Sequence, residues 1–223
     1  MRKELLPGLL TAAARNASRG LGDIALVEEG SVFLEPTGKP VKNLPVGNER
    51  PSEQVLAELN ASIPRQPRHL AGVFVGDWID QSPGQSAIES GYPQAVSAVQ
   101  RVFAVLGLEL ALEQGELAGF HPGRGANVLA AGEQVGSVGE LHPELSEEVH
   151  LARRVGIIEL DLTKKMELAP EIVSAKEISA MPAATQDVSL VVALSVSSAE
   201  IAAALCEGGA LRASRVAMRE AAP

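Results

Sequence analysis

Cysteine is almost absent: Cys206 is the only one in 223 residues. An internal disulfide and a cysteine zinc cluster are therefore excluded, redox chemistry is not expected, and the lone thiol reads as buried and inert rather than as a nucleophile. No apolar run approaches the roughly 20 residues that a membrane-spanning helix needs. Met1-Arg2-Lys3 leads to Pro7-Gly8 instead of a secretory apolar region, so a cytoplasmic location without membrane contact is expected. Positive charge is in deficit, with 19 Lys and Arg against 28 Asp and Glu and a net charge of −9. Broad attraction to nucleic acid needs a basic face that displaces counterions, so any RNA contact must be local or supplied elsewhere. A phosphate loop of the form G-x-x-x-x-G-K-[ST] is also missing.

What is present suffices for a globular protein. At 46% hydrophobic residues the chain can bury one large core, or a medium one plus a small one. Over Glu4–Ser18 the residues Leu5, Leu6, Leu9, Leu10, Ala13, Ala14 and Ala17 recur on one helical face, with Pro7 in the first turn and Gly20 and Gly22 beyond the end. Asp23–Leu34 alternates and is β-branched enough for a strand that continues past Gly30. Glu35–Pro67 is proline-rich and polar around one short apolar patch, Val55–Leu59, and reads as a loop with at most one helical turn. Arg68–Gly76 returns to a strand, followed by a turn at Asp77-Trp78 and an irregular connection through Gly91. Tyr92–Leu108 is a helix by its apolar spacing at Ala95, Val96, Val99, Val102, Phe103 and Leu106, opened by Pro93 and stopped by Gly107. Glu109–Ala118 should lead as strand or loop into a hairpin.

That hairpin spans Phe120–Glu144, FHPGRGANVLAAGEQVGSVGELHPE. Pro122-Gly123 suits a tight turn, with Arg124 just behind it. Asn127–Ala130 and Val135–Val138 flank a short connection, Ala131-Gly132-Glu133, with one glycine in the left-handed region. A helix should start after Leu141-His142-Pro143, where Glu144, Glu147 and Glu148 complement its positive end. Val155–Leu162 is a strand with both faces largely covered. On it Glu159 and Asp161 alternate on one face and could in principle bind a metal or act as acid and base, although without a third ligand such a face is usually salt-bridged or solvated. His69 has no serine, cysteine or paired carboxylate in recognisable relation to it and is given no chemistry.

Several of these segments, in this order, resemble the β subunit of bacterial phenylalanyl-tRNA synthetase. The HPGR turn, the hairpin and the GELHP corner match at this spacing, as do LLPGLL, N-x-SRG and VEEGSVF in the first helix and strand, and RHLAG in the next strand. Ala175–Leu194 resembles the lead-in to that family's ferredoxin-like anticodon-binding domain, including its FPA-x-x-x-D pattern, with Met181 in place of the usual phenylalanine. The resemblance implies an α+β fold: a class II aminoacyl-tRNA synthetase-like antiparallel sheet flanked by helices over residues 1–169. A partial ferredoxin-like βαβ unit over 170–223 follows, with a helix at Ala199–Glu207 capped by Ser197-Ser198 and a second strand at Leu211–Met218. The chain is expected to be a piece or a shortened form of the family's longer subunit.

The function implied is to support ATP-dependent attachment of phenylalanine to its tRNA through contact with the catalytic α subunit. ATP and magnesium belong to the whole ligase and neither is expected on this chain. Class II chemistry needs arginines that hold the ATP phosphates. RHLAGVFVG lacks the arginine-acid pair and VGIIELDL ends without an arginine, so no catalytic, cofactor-binding or metal-ligating residue is assigned. In this family the first helix and strand build the subunit interface, which implicates Leu6, Leu9, Leu10, Ala13, Val27 and Val32 in contact with the α subunit or in self-association. The plainer alternative is that the helix packs on its own sheet. Arg212 and Arg215, with Arg219, make a local basic tail that offers weak contact at most to the phenylalanine tRNA. The competing reading is a free-standing enzyme or small-molecule-binding protein that uses the Glu159 and Asp161 face.

Overall fold

The computed structural model of the protein describes residues 1–39, 50–151, 154–170, 172, 189–193, 196 and 198–208. The chain divides into two compact units, Met1–Val173 and Ser174–Pro223.

In the first unit, helix α1 (Leu6–Ala17) takes Pro7 into its first turn, where a missing N–H costs no hydrogen bond. Strand β1 (Ile24–Ser31) follows it. Helix α2 (Glu53–Ser62) corrects the expectation of a single helical turn before Pro67. It forms because Ser52 accepts a hydrogen bond from the backbone N–H of Val55, and it buries none of its residues. Strand β2 (Arg68–Val75), the short ribbon of β3 (Asp77–Ile79) and β4 (Ile88–Glu89), and helix α3 (Tyr92–Leu106) come next. Gly107, with φ 65°, ends α3 in the left-handed conformation that glycine tolerates best.

Strands β5 (Ala111–Gln114), β6 (Phe120–Ala130) and β7 (Glu133–Leu141) lead through the short helix α4 (Pro143–Glu148) to β8 (Val155–Asp161). The main sheet has the order β1-β2-β8-β7-β6-β5, with every neighbouring pair antiparallel. β8 and β7 are therefore its central strands. Side chains of opposite parity along them point to opposite faces. On one face Leu5, just before α1, and Leu9 and Ala13 within it pack with Ala71, Val73, Val155 and Ile157; on the other, Ala95, Val99 and Phe103 of α3 pack with Phe74, Val138, Ile158 and Leu160. The result is a mixed α+β fold, an antiparallel sheet flanked by helices, with β8 covered on both sides over its apolar half, Val155 to Ile158.

Two features of the hairpin differ from the local reading. The connection is a two-residue turn in which both Ala131 (φ 49°) and Gly132 (φ 79°) are left-handed, because Ala130 pairs directly with Glu133. That primed geometry matches the strand twist. Pro122-Gly123 does not reverse the chain. Phe120 faces Leu141 and Gly125 faces Gly139, so β6 advances five residues while β7 advances two, and residues 121–124 bulge from the ladder. Proline, with no N–H to contribute to a ladder, belongs at such a bulge.

Helix α5 (Leu162–Leu168) takes Leu162, the last residue of the expected strand, into its first turn; Asp161 starts it by accepting from the N–H of Lys164 at 3.0 Å. In the second unit helix α6 (Ser198–Gly208) occupies the expected helical stretch. The lead-in at 175–188 and 194–195, the strand expected at Leu211–Met218 and the side chain of Cys206 lie outside the described residues.

Candidate functional site

Helices α1 and α3 start without a local side-chain cap: Leu5 and Gly91 hold the cap positions and neither makes a side-chain hydrogen bond. Their first N–H groups still need acceptors, since the first turn has no carbonyls before it. The central strands supply them. Glu159 on β8 accepts from the N–H groups of Leu5 and Leu6 at 3.2 Å, and its Oε1 lies 2.9 Å from His69 Nδ1. An ionised carboxylate only accepts, so His69 carries its proton on Nδ1 in this contact. Glu140 on β7 is 3% exposed; its Oε1 accepts from the N–H of Tyr92 at 3.1 Å and its Oε2 from Arg124 Nε at 2.7 Å. Burial also pushes the Tyr92 phenol above its ordinary value.

Close approach makes this capping possible. A Cβ on Gly156 would stand 2.9 Å from the carbonyl oxygen of Gly91, and one on Gly91 would stand 2.9 Å from Glu140 Oε1. The start of α3 thus rests directly on β8 and β7. The carboxylates complement the positive ends of the helix dipoles and make charge-assisted hydrogen bonds. Glu159 and Asp161, the pair that could have formed an acidic face, are each engaged at a different helix start, Glu159 at α1 and Asp161 at α5. No cluster of three His, Cys, Asp or Glu able to hold a metal occurs among the described residues.

The interface candidates divide by burial. Leu9, Ala13 and Val32 are buried in the core of their own chain, and Leu6 and Leu10 pack partly against it. The helical periodicity is satisfied by the chain's own sheet, as in the plainer of the two readings of this face. Val27, 60% exposed on the edge strand β1, is the candidate that remains open. Arg212 and Arg215 lie outside the described residues.

Two residues that sequence reasoning passed over, Glu140 and Lys165, stand out. Glu140 sits inside the GELHP corner, whose turn chemistry drew attention away from its acid. Arg124 is the partner of that buried acid. Lys165 on α5 is 0% exposed, its Nζ lies 3.8 Å from the centroid of the Phe103 ring, and it is a buried side-chain nitrogen without a hydrogen-bond partner. Burial lowers its amine from 10.5 to about 8.

Residues 1–162 match the family described as the phenylalanyl tRNA synthetase beta chain CLM domain. The phenylalanine–tRNA ligase beta subunit of Leifsonia xyli is 44% identical over 216 residues, covering 95% of this chain and 25% of that protein. Its counterparts from Cutibacterium acnes and Thermobifida fusca are 37% and 38% identical, each over 93% of this chain and 25% and 26% of theirs. The chain thus spans about a quarter of the length of the curated relatives it matches. Among solved structures, pyrrolysyl-tRNA synthetase from Desulfitobacterium hafniense aligns over 74% of this chain and 48% of that one, with a TM-score of 0.44 at 14% identity. The match over residues 1–162 reaches from the first helix through the central strands that cap it, and the chain belongs to the phenylalanyl tRNA synthetase beta chain CLM domain family.

Proposed function

We propose that this chain acts as a non-catalytic scaffold within a phenylalanine–tRNA ligase, where it supports ATP-dependent attachment of phenylalanine to tRNA by contacting the catalytic α subunit in the cytoplasm. The family match over 1–162 carries this reading. It is supported by the placement of acids that could have done chemistry: Glu140, Glu159 and Asp161 each cap a helix. ATP and magnesium are assigned to the α subunit. Edge strand β1, with Val27 exposed and its outer hydrogen-bonding side away from β2, is the assigned contact. An edge strand with an exposed apolar side chain is a ready template for a partner.

The test is co-purification of the 223-residue chain with an α subunit, followed by sedimentation. Association is expected. Val27→Glu should weaken it by about tenfold, the scale of an interface residue worth over 1 kcal/mol, while the isolated chain stays folded. A chain that stays monomeric and ignores the α subunit would falsify the assignment. Pyrophosphate exchange dependent on phenylalanine, by the purified chain alone, would instead show that it is catalytic.

A further inference from the structure

The HPGR bulge does more than interrupt a ladder. It brings His121 and Arg124 to the wall of a cavity of about 210 Å³, which Arg154 also lines. Arg124 is held from behind, because its Nε donates to the buried Glu140. That leaves the two terminal nitrogens of its guanidinium with no partner among the described residues, as an end-on fork suited to a carboxylate or phosphate. His121 is oriented as well: its Nδ1 accepts from the N–H of Gly123 at 3.1 Å, so the neutral ring carries its proton on Nε2 as a donor. Arg154 supplies a second cation. Leu141, Leu151 and Val155 add aliphatic surface to the lining.

We propose that this cavity binds a small organic monocarboxylate with an aliphatic body. Local charge selects the monoanion. Glu140 offsets Arg124, and Glu147, an exposed lining residue, adds a second negative charge against the two cations. The residual field is small, which disfavours a phosphate dianion, while the aliphatic wall rewards an apolar body beside the acid. An extended nucleic-acid backbone would find only two cations here.

The experiment titrates the full 223-residue chain, labelled with ¹⁵N, with cyclohexanecarboxylate, using cyclohexanecarboxamide and inorganic phosphate as comparison probes. Saturable shifts are expected at the amides of Gly123, Gly125 and Leu151, with a dissociation constant of about 1 mM for so small a ligand. Arg124→Lys keeps a cation beside Glu140 but loses the fork, and Arg154→Gln leaves the Arg124–Glu140 pair intact. Each should weaken binding by about tenfold, the loss of one charge-assisted contact. Should the Lys variant fail to fold, the Arg154 variant carries the comparison. The proposal is overturned by shifts that do not saturate by about 20 mM, by equal binding of the neutral amide, by tighter binding of phosphate, or by indifference to Arg154→Gln.

Discussion

Replacing Lys165 with methionine should stabilise the protein, and the gain should vanish at high pH. The amine is 0% exposed, and burial holds it at about 8 rather than 10.5. That difference corresponds to a penalty of roughly 3 kcal/mol on the charged form in the folded state. The amine keeps contact with the Phe103 ring, its Nζ 3.8 Å from the centroid. Methionine has nearly the same length, carries no charge and packs well against an aromatic ring. Lys165→Met should therefore gain up to about 3 kcal/mol at pH 7. The sign with pH follows from proton counts. Between about 8 and 10.5 the unfolded chain holds the Lys165 proton and the folded chain has released it. This group's contribution to stability therefore rises with pH through that window, and the wild type draws level with the variant towards pH 10.5. Urea unfolding at pH 7, 8 and 10 checks this, followed by the fluorescence of Trp78, the only tryptophan, which packs edge-on against Phe74 at 5.5 Å. A variant less stable than wild type at pH 7, or a difference that stays constant with pH, refutes the reasoning.

Glu140→Gln should cost about 2 to 4 kcal/mol, because it removes the negative partner of Arg124 and weakens the cap on α3. The urea midpoint reads the loss, and an unchanged midpoint would mean that Glu140 is not needed where it stands. Ala131→Gly should stabilise by about 0.5 to 1 kcal/mol, since φ 49° strains an alanine and suits glycine. A fall in melting temperature would show that the turn relaxes to another form. Arg212 and Arg215 should confer weak tRNA binding that falls with salt at a logarithmic slope of about −1 to −2, as for two phosphate contacts, and that does not distinguish phenylalanine tRNA from another. Tight, discriminating binding at physiological salt sinks that expectation.

Elements held by their own periodicity were legible from the sequence. Ala95, Val99 and Phe103 fall on one face of α3, and the apolar run of β8 marks a strand covered on both sides; both are buried as that spacing requires. Helix α2 was not legible because it buries nothing, so its apolar residues keep no spacing that a core would impose. Helix α5 has seven residues, too few to repeat a period, and its cap Asp161 was read as one half of an acidic strand face. The Pro122-Gly123 bulge was missed for a different reason. Proline and glycine report that the chain bends locally, whereas only the pairing of Phe120 with Leu141 and Gly125 with Gly139 says that it does not turn back.

The candidate site was the least legible part, and the cause is distance along the chain. Glu140 caps a helix that starts 48 residues before it, and Glu159 caps one that starts 153 residues before it. Spacing rules that find capping residues look three or four positions ahead, so neither acid carries a local signal. The same distance explains the interface residues. A helix with Leu6, Leu9, Leu10 and Ala13 on one face declares that it needs an apolar partner, but not which one. Glu159 answers the question: by taking the N–H groups of Leu5 and Leu6 it pins the start of α1 against β8, and Leu9 and Ala13 are then carried onto the chain's own sheet. What α1 leaves open is the neighbouring edge, where Val27 stands exposed on β1.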